Sequence, residues 1–96
     1  MRFYVAGKIT GDPDYKEKFL EATVKLLEAG HTVLNPAFLP EVMTRTAYMS
    51  ICVPMLLAAD AVYLLSGWES SGGAFIEVQL ARYCAKPIFY EWEGIP

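Results

Sequence analysis

Ninety-six residues, 54% of them apolar and 14% aromatic, are enough for one small domain over 1–96 with its own core, which excludes a disordered chain. A net charge of −3 and a pI near 5.0, with no basic stripe, argue against binding long nucleic acid and leave small ligands open. Nothing resembles a signal peptide and no segment approaches the ~20 apolar residues that span a bilayer, so no membrane association is expected and the cytoplasm is the expected compartment.

In chain order, Arg2 to Ala6 predicts a short strand, and Gly7-Lys8-Ile9-Thr10-Gly11-Asp12-Pro13 predicts a turn. Asp14 or Asp12 can cap a helix that runs to about Ala29 and stops at Gly30. Tyr15, Phe19, Ala22 and Leu26, joined by Leu20, Val24 and Leu27, mark its expected buried face, and the charged residues between them a solvated one. His31 to Leu34 is a second strand, closed by Asn35-Pro36, with the lone histidine far from the glycine loops. After an irregular stretch, Thr46 to Ala59 reads as a helix in which Pro54 predicts a kink or a fresh turn. Asp60 to Leu65 is the third strand, residues 73–85 the third helix, and Lys86 to Glu91 the fourth strand. Trp92 to Pro96 reads as a cap or a subunit contact. Cys52 and Cys84 fit no metal or redox spacing and read as buried reduced thiols.

Strands alternating with helices imply a mostly parallel sheet covered by helices on both faces. Ligands of such sheets bind beyond the carboxyl ends of the strands. Those ends are Gly7 to Gly11, Asn35-Pro36 and Ser66 to Gly73, which should line one rim.

Three features of that rim point to chemistry. Gly7-Lys8-Ile9-Thr10-Gly11 can offer backbone N–H groups and the Lys8 charge to an anion, or be an ordinary turn; it is neither a P-loop nor the dinucleotide fingerprint. Ser70-Ser71-Gly72-Gly73 opens a helix and is a second anion candidate, or a plain cap. Trp68 and Glu69 can stack on and hydrogen-bond a flat heterocycle, although Trp68 can equally pack under a neighbouring subunit. The anomaly is Glu77. At 100° per residue it lies opposite Gln79, Arg82 and Lys86, on the face carrying Leu80, Ala81 and Cys84. A carboxylate there is costly unless it is paired, hydrogen-bonded or used. Pairing with Arg82, a satisfied core position and a nucleophile beside a sugar all remain open. A nucleophile must be ionised, so open solvent or ligand hydroxyls are expected at its tip. Tyr4 lies near the rim end of the first strand and can reach a ligand or serve the core.

Gly7-x-Ile9-x-Gly11 after the first strand, Ala59-Asp60 before the third, and Ser71-Gly72-Gly73-x-x-x-Glu77 resemble the nucleoside 2-deoxyribosyltransferase-like superfamily. The likeness is to its small members in particular, the 2'-deoxynucleoside 5'-monophosphate N-hydrolases and short phage and bacterial proteins. The resemblance implies a flavodoxin-like three-layer sandwich with a small parallel sheet of about four strands. It also implies a homodimer or homotetramer with sites near the subunit boundary. By correspondence Glu77 is the nucleophile that displaces the base from a 2'-deoxyribosyl group, Tyr4 lies near the sugar, and Gly7, Ile9 and Gly11 line the floor. Ser71 matches the serine that takes the 5'-phosphate, which favours a nucleotide over a nucleoside. No metal or cofactor is required. One departure stands out: an aspartate usual in the catalytic members is here Cys52, inside Ile51-Cys52-Val53-Pro54. Catalysis would then be weak, borrow Glu69 or Asp12, or be absent. The rival classes are a non-catalytic nucleotide-binding module and a structural oligomer.

Overall fold

A computed structural model describes residues 1–96. Four strands form one parallel sheet: β1 (Arg2–Ala6), β2 (Thr32–Leu34), β3 (Ala61–Leu64) and β4 (Ile88–Tyr90), in the order β2-β1-β3-β4. Three helices connect them: α1 (Tyr15–Glu28), α2 (Arg45–Ala58) and α3 (Gly72–Tyr83). Phe3 of β1 sits between Val33 of β2 and Ala61 of β3, which fixes the central register.

Period-2 alternation in the two central strands divides the core. Phe3, Val5, Ala61, Tyr63 and Leu65 meet Phe19, Ala22 and Leu26 of α1 on one face. Tyr4, Ala6, Val62 and Leu64 meet Cys52 and Leu56 of α2 and Val78 and Ala81 of α3 on the other. The result is the three-layer, flavodoxin-like sandwich expected from the sequence. Because β1 is flanked by β2 on one side and β3 on the other, successive connections run in opposite directions, and the loops after β1 and β3 part at the carboxyl edge.

The helices depart from expectation in three places. On α1 the stripe is narrower: Phe19, Ala22, Thr23 and Leu26 are buried, whereas Leu20, Val24 and Leu27 are about half exposed. Those three point away from the sheet and, with Glu17, Glu21, Lys25 and Glu28, border a shallow outer groove. On α2, Pro54 does not end the helix. It lies on the exposed side, where water can reach the carbonyl that loses its N–H partner. Thr44 caps this helix, its hydroxyl accepting from Ala47 N at 3.1 Å. On α3 the helix ends at Tyr83, and Ala85 turns the chain at φ 56°. The helical phase that placed Cys84 on the buried face therefore no longer applies, and Cys84 is exposed while Cys52 is buried.

The Ala59-Asp60 step lies at the opposite edge from the rim. The Arg2 guanidinium donates to Ala58 O at 2.8 Å and Lys86 Nζ to Ala59 O at 2.6 Å, two cations at the carboxyl end of α2. The Asp60 carboxylate accepts from Arg2 N at 2.8 Å. Asp60 is thus a strand-end anchor. His31 is also at this edge, its Nδ1 3.1 Å from the amino terminus. No helix is long and apolar enough to cross a membrane.

Candidate active site

Glu77 lies on α3 six residues beyond its cap, Ser71, whose hydroxyl accepts from Ala74 N at 3.2 Å. Helical side chains lean toward the amino terminus, so the carboxyl of Glu77 is directed past Ala74 and Gly73 toward the rim. Gly73 offers no side chain in that path. A Cβ added there would meet only Met49 Sδ, at 3.9 Å.

Glu77 is 6% exposed, and its one hydrogen-bond partner is the phenol of Tyr4, which donates to Oε2. Arg82 does not pair with it. The burial differs from the open tip expected of an ionised nucleophile, and the reason is local. Tyr4 reaches up from β1, where alternation turns it toward α2 and α3, and closes over the carboxyl. The helix terminus gives little help, since its field fades beyond the first turn. Desolvation therefore dominates: it pushes the Glu77 pKa up to about 7, against the Tyr4 hydrogen bond, which lowers it.

Around this pair the side chains are neutral. Burial, and then the Glu77 charge, raise the Tyr4 phenol far above its ordinary range, so Tyr4 remains a donor. Burial raises the Cys52 thiol, partly opposed by the neighbouring Tyr4 phenol. Tyr48, one turn before Cys52 on α2, is also raised by burial and by its neighbour Cys52, and its hydroxyl lies 3.3 Å from Pro36 O. Tyr4, Tyr48, Cys52 and Glu77 thus form one polar knot inside an apolar layer. Tyr48 was not singled out from the sequence. Its i,i+4 spacing to Cys52 was the available signal, but an aromatic on an apolar helix also reads as ordinary core.

The remaining sequence candidates divide between the two faces of the sheet. Gly7 is buried at the end of β1, where a Cβ would stand 3.0 Å from Leu65 Cβ. Ile9 packs against the α1-side core, and Trp68 is half-buried against the α2/α3-side core. Glu69, Gly72 and Gly73 are exposed on the rim. Lys8, Gly11 and Ser70 meet in a cavity of about 280 Å³ on the α1 side, together with Asp12, Pro13, Lys18, Ser66 and Gly67. Neither Glu77 nor Ser71 lines it. Ser66 belongs to the loop expected on the rim, whereas Lys18, read from the sequence as part of a solvated helix face, is brought here only by the topology. No three His, Cys, Asp or Glu side chains are grouped so as to hold a metal ion.

A solved structure of a 2-deoxyribosyltransferase from Bacillus psychrosaccharolyticus is similar to this chain, with a TM-score of 0.72 at 23% identity, over 94% of this chain and 71% of that one. At that identity the likeness is one of fold. Comparison with curated proteins gives no match. Residues 1–90, nearly the whole chain, match the family described as Domain of unknown function (DUF4406). The chain therefore belongs to the DUF4406 family, built on the nucleoside 2-deoxyribosyltransferase-like fold.

Proposed function

We propose that the protein is an N-glycosidase that cleaves the base from a 2'-deoxynucleoside 5'-monophosphate, with Glu77 as nucleophile. The observation that carries this reading is the buried Glu77 carboxyl, bonded to Tyr4 alone, on the helix opened by the Ser71-Gly72-Gly73 turn. In the first step a Glu77 oxygen bonds to C1' and the bond from C1' to the base nitrogen breaks, the base leaving with that electron pair. In the second, water attacks C1', the ester bond breaks to restore the carboxylate, and the proton that water gives up balances the one the departed base takes. The positive charge that develops on the sugar favours the ionised carboxylate and offsets the burial that holds it protonated. Tyr4, always a donor, stabilises and orients that carboxylate. The Ser71–Gly73 turn takes the 5'-phosphate on free amides of the first helical turn.

A second reading is favoured by one observation. Cys52 occupies the place of the usual aspartate, is fully buried, and has its thiol pKa raised rather than lowered. That group supplies no ready proton to a departing base, so a nucleotide-binding module without turnover fits this position.

A homodimer accompanies either reading. Ile51 and Leu57 on α2 and Phe75, Ile76 and Tyr83 on α3 are exposed, and α2 carries no charge after Arg45. A charge-free face suits a second copy of itself.

The test is incubation with each 2'-deoxynucleoside 5'-monophosphate and detection of free base. Release of one base by the native chain and none by Glu77→Ala is the expected result. Nucleotide binding without release establishes the second reading. Absence of both, by base detection and by thermal shift across the nucleotide panel, refutes the ligand readings together.

A further inference from the structure

We infer that the outer side of α1 is a docking surface for a cationic amphipathic helix of another protein. It lies across the sheet from Glu77, and the inference does not depend on what that carboxyl does. Leu20, Val24 and Leu27 recur at i, i+4 and i+7, stand about half exposed, and form one row beside the residues that α1 buries on the sheet. Single exposed leucines are ordinary, but three apolar residues in a row about 10 Å long are the anchor pattern of a helix laid on a helix. Every residue lining the shallow groove along this row comes from α1. A groove with a single wall encloses no small molecule; it suits an elongated occupant that brings its own apolar row.

Charge decides which occupant. Along the groove three carboxylates, Glu17, Glu21 and Glu28, stand against one ammonium, Lys25, which is 3.2 Å from Glu21. The other cations of α1, Lys16 and Lys18, are held by Glu41 and Asp12. Glu17 and Glu28 therefore have no ion-pair partner. Glu28 is in addition the last residue of α1, where the helix dipole disfavours an anion, and a cation brought there relieves that cost. Eleven positions separate Glu17 from Glu28, which puts them within about 20° of each other on one flank of the row and about 16 Å apart. The complementary helix carries apolar residues between two cations at the same separation. A second copy does not fit: run antiparallel it sets Glu17 beside the partner's Glu28, and run parallel it sets each beside its own equivalent. An anionic lipid surface meets the same repulsion.

NMR titration of the full chain with a synthetic amphipathic helix tests the surface. The probe carries leucines at i, i+4 and i+7 and two arginines eleven positions apart on one flank, matching Glu17 and Glu28; a control peptide has glutamates in place of the arginines. Saturable binding of the cationic probe is expected, with amide shifts along α1 and none on α3. Glu17→Gln with Glu28→Gln should weaken it about tenfold, and Val24→Asp, in a chain with native circular dichroism, should abolish it. Glu17→Lys with Glu28→Lys should reverse the preference, so that the control binds and the cationic probe does not. No saturable binding, equal binding of both peptides by the native chain, or shifts that fall on α2 and α3 overturn the inference. So does a sedimentation mass that drops in Val24→Asp, which would give the face to a second copy, or vesicle binding that Val24→Asp removes, which would give it to a lipid surface. Base release should be the same in Val24→Asp as in the native chain, so the glycosidase reading stands or fails separately from this one.

Discussion

Replacing Glu77 by glutamine should change the slope of stability against pH, not only its level. Burial raises the carboxyl from 4.5 to about 7, a shift that corresponds to about 3 kcal/mol. Between those values the folded chain holds a proton that the unfolded chain releases. The contribution of this group is therefore complete below pH 4.5 and is lost as pH rises through about 7. Glutamine does not titrate. Its carbonyl can still accept from Tyr4, and its amide, left without a partner, costs about 1–3 kcal/mol at every pH. The variant should thus start less stable at pH 4.5 and gain on the native chain by about 3 kcal/mol toward pH 8. In a chain of this length that relative gain is about 15 °C in Tm. Asp12 and Glu41, both lowered by lysines, bend both curves alike and cancel in the difference. Urea unfolding of the two chains from pH 4.5 to 8.5 supplies the measurement. A difference curve that is flat, or that inflects near 4.5, would refute the claim that desolvation governs this carboxyl.

Tyr4→Phe removes the single hydrogen bond to Glu77, so the Glu77 midpoint should move above about 7 and stability at pH 8 should fall by about 1–3 kcal/mol; carboxyl carbon NMR titration and urea melts read the two effects. Gly7→Ala should cost about 1–3 kcal/mol, because its Cβ would stand 3.0 Å from Leu65 Cβ, which is tied to the backbone. Gly73→Ala should instead stabilise by up to about 1 kcal/mol in urea melts, since only Met49 Sδ stands near. A thiol reagent should modify Cys84 at once and Cys52 only with unfolding, so a native titre of two fast thiols would contradict the packing of α2 on the sheet.

Much of the fold was legible because its signals are local and redundant. Alternation in Phe3-Tyr4-Val5-Ala6 assigns each side chain to a face of the sheet, and the helical phase of Glu77 places it inward without reference to any partner. What escaped depends on distant packing. Hydropathy marks Leu20, Val24 and Leu27 as buried, yet nothing covers the outer side of α1 in the chain itself. The phase argument failed at Cys84 because a phase is meaningful only while the helix lasts. Trp68 was open to two readings, a rim platform or a subunit contact, and the turn over Trp68–Ser70 half-buries it against the core, a contact hydropathy does not reveal. The Lys8 cavity was half-visible: Lys8, Gly11, Ser66 and Ser70 fall on loops expected at the rim, and Lys18 does not, because its approach to them is a property of strand order.

The burial of Glu77 and its proposed role are reconciled by asking when charge is needed. An ionised carboxylate held permanently in this layer would be costly, because only Tyr4 donates to it. A carboxyl with a pKa near 7 is close to balance between its two forms, so a modest favourable interaction is enough to ionise it. A sugar that develops positive charge supplies that interaction only as the glycosidic bond weakens, which is the moment a nucleophile is required. An occupant without such a charge leaves the proton in place. On this argument Tyr4 and the apolar wall do not merely tolerate Glu77; they keep its ionisation responsive to what arrives at the rim.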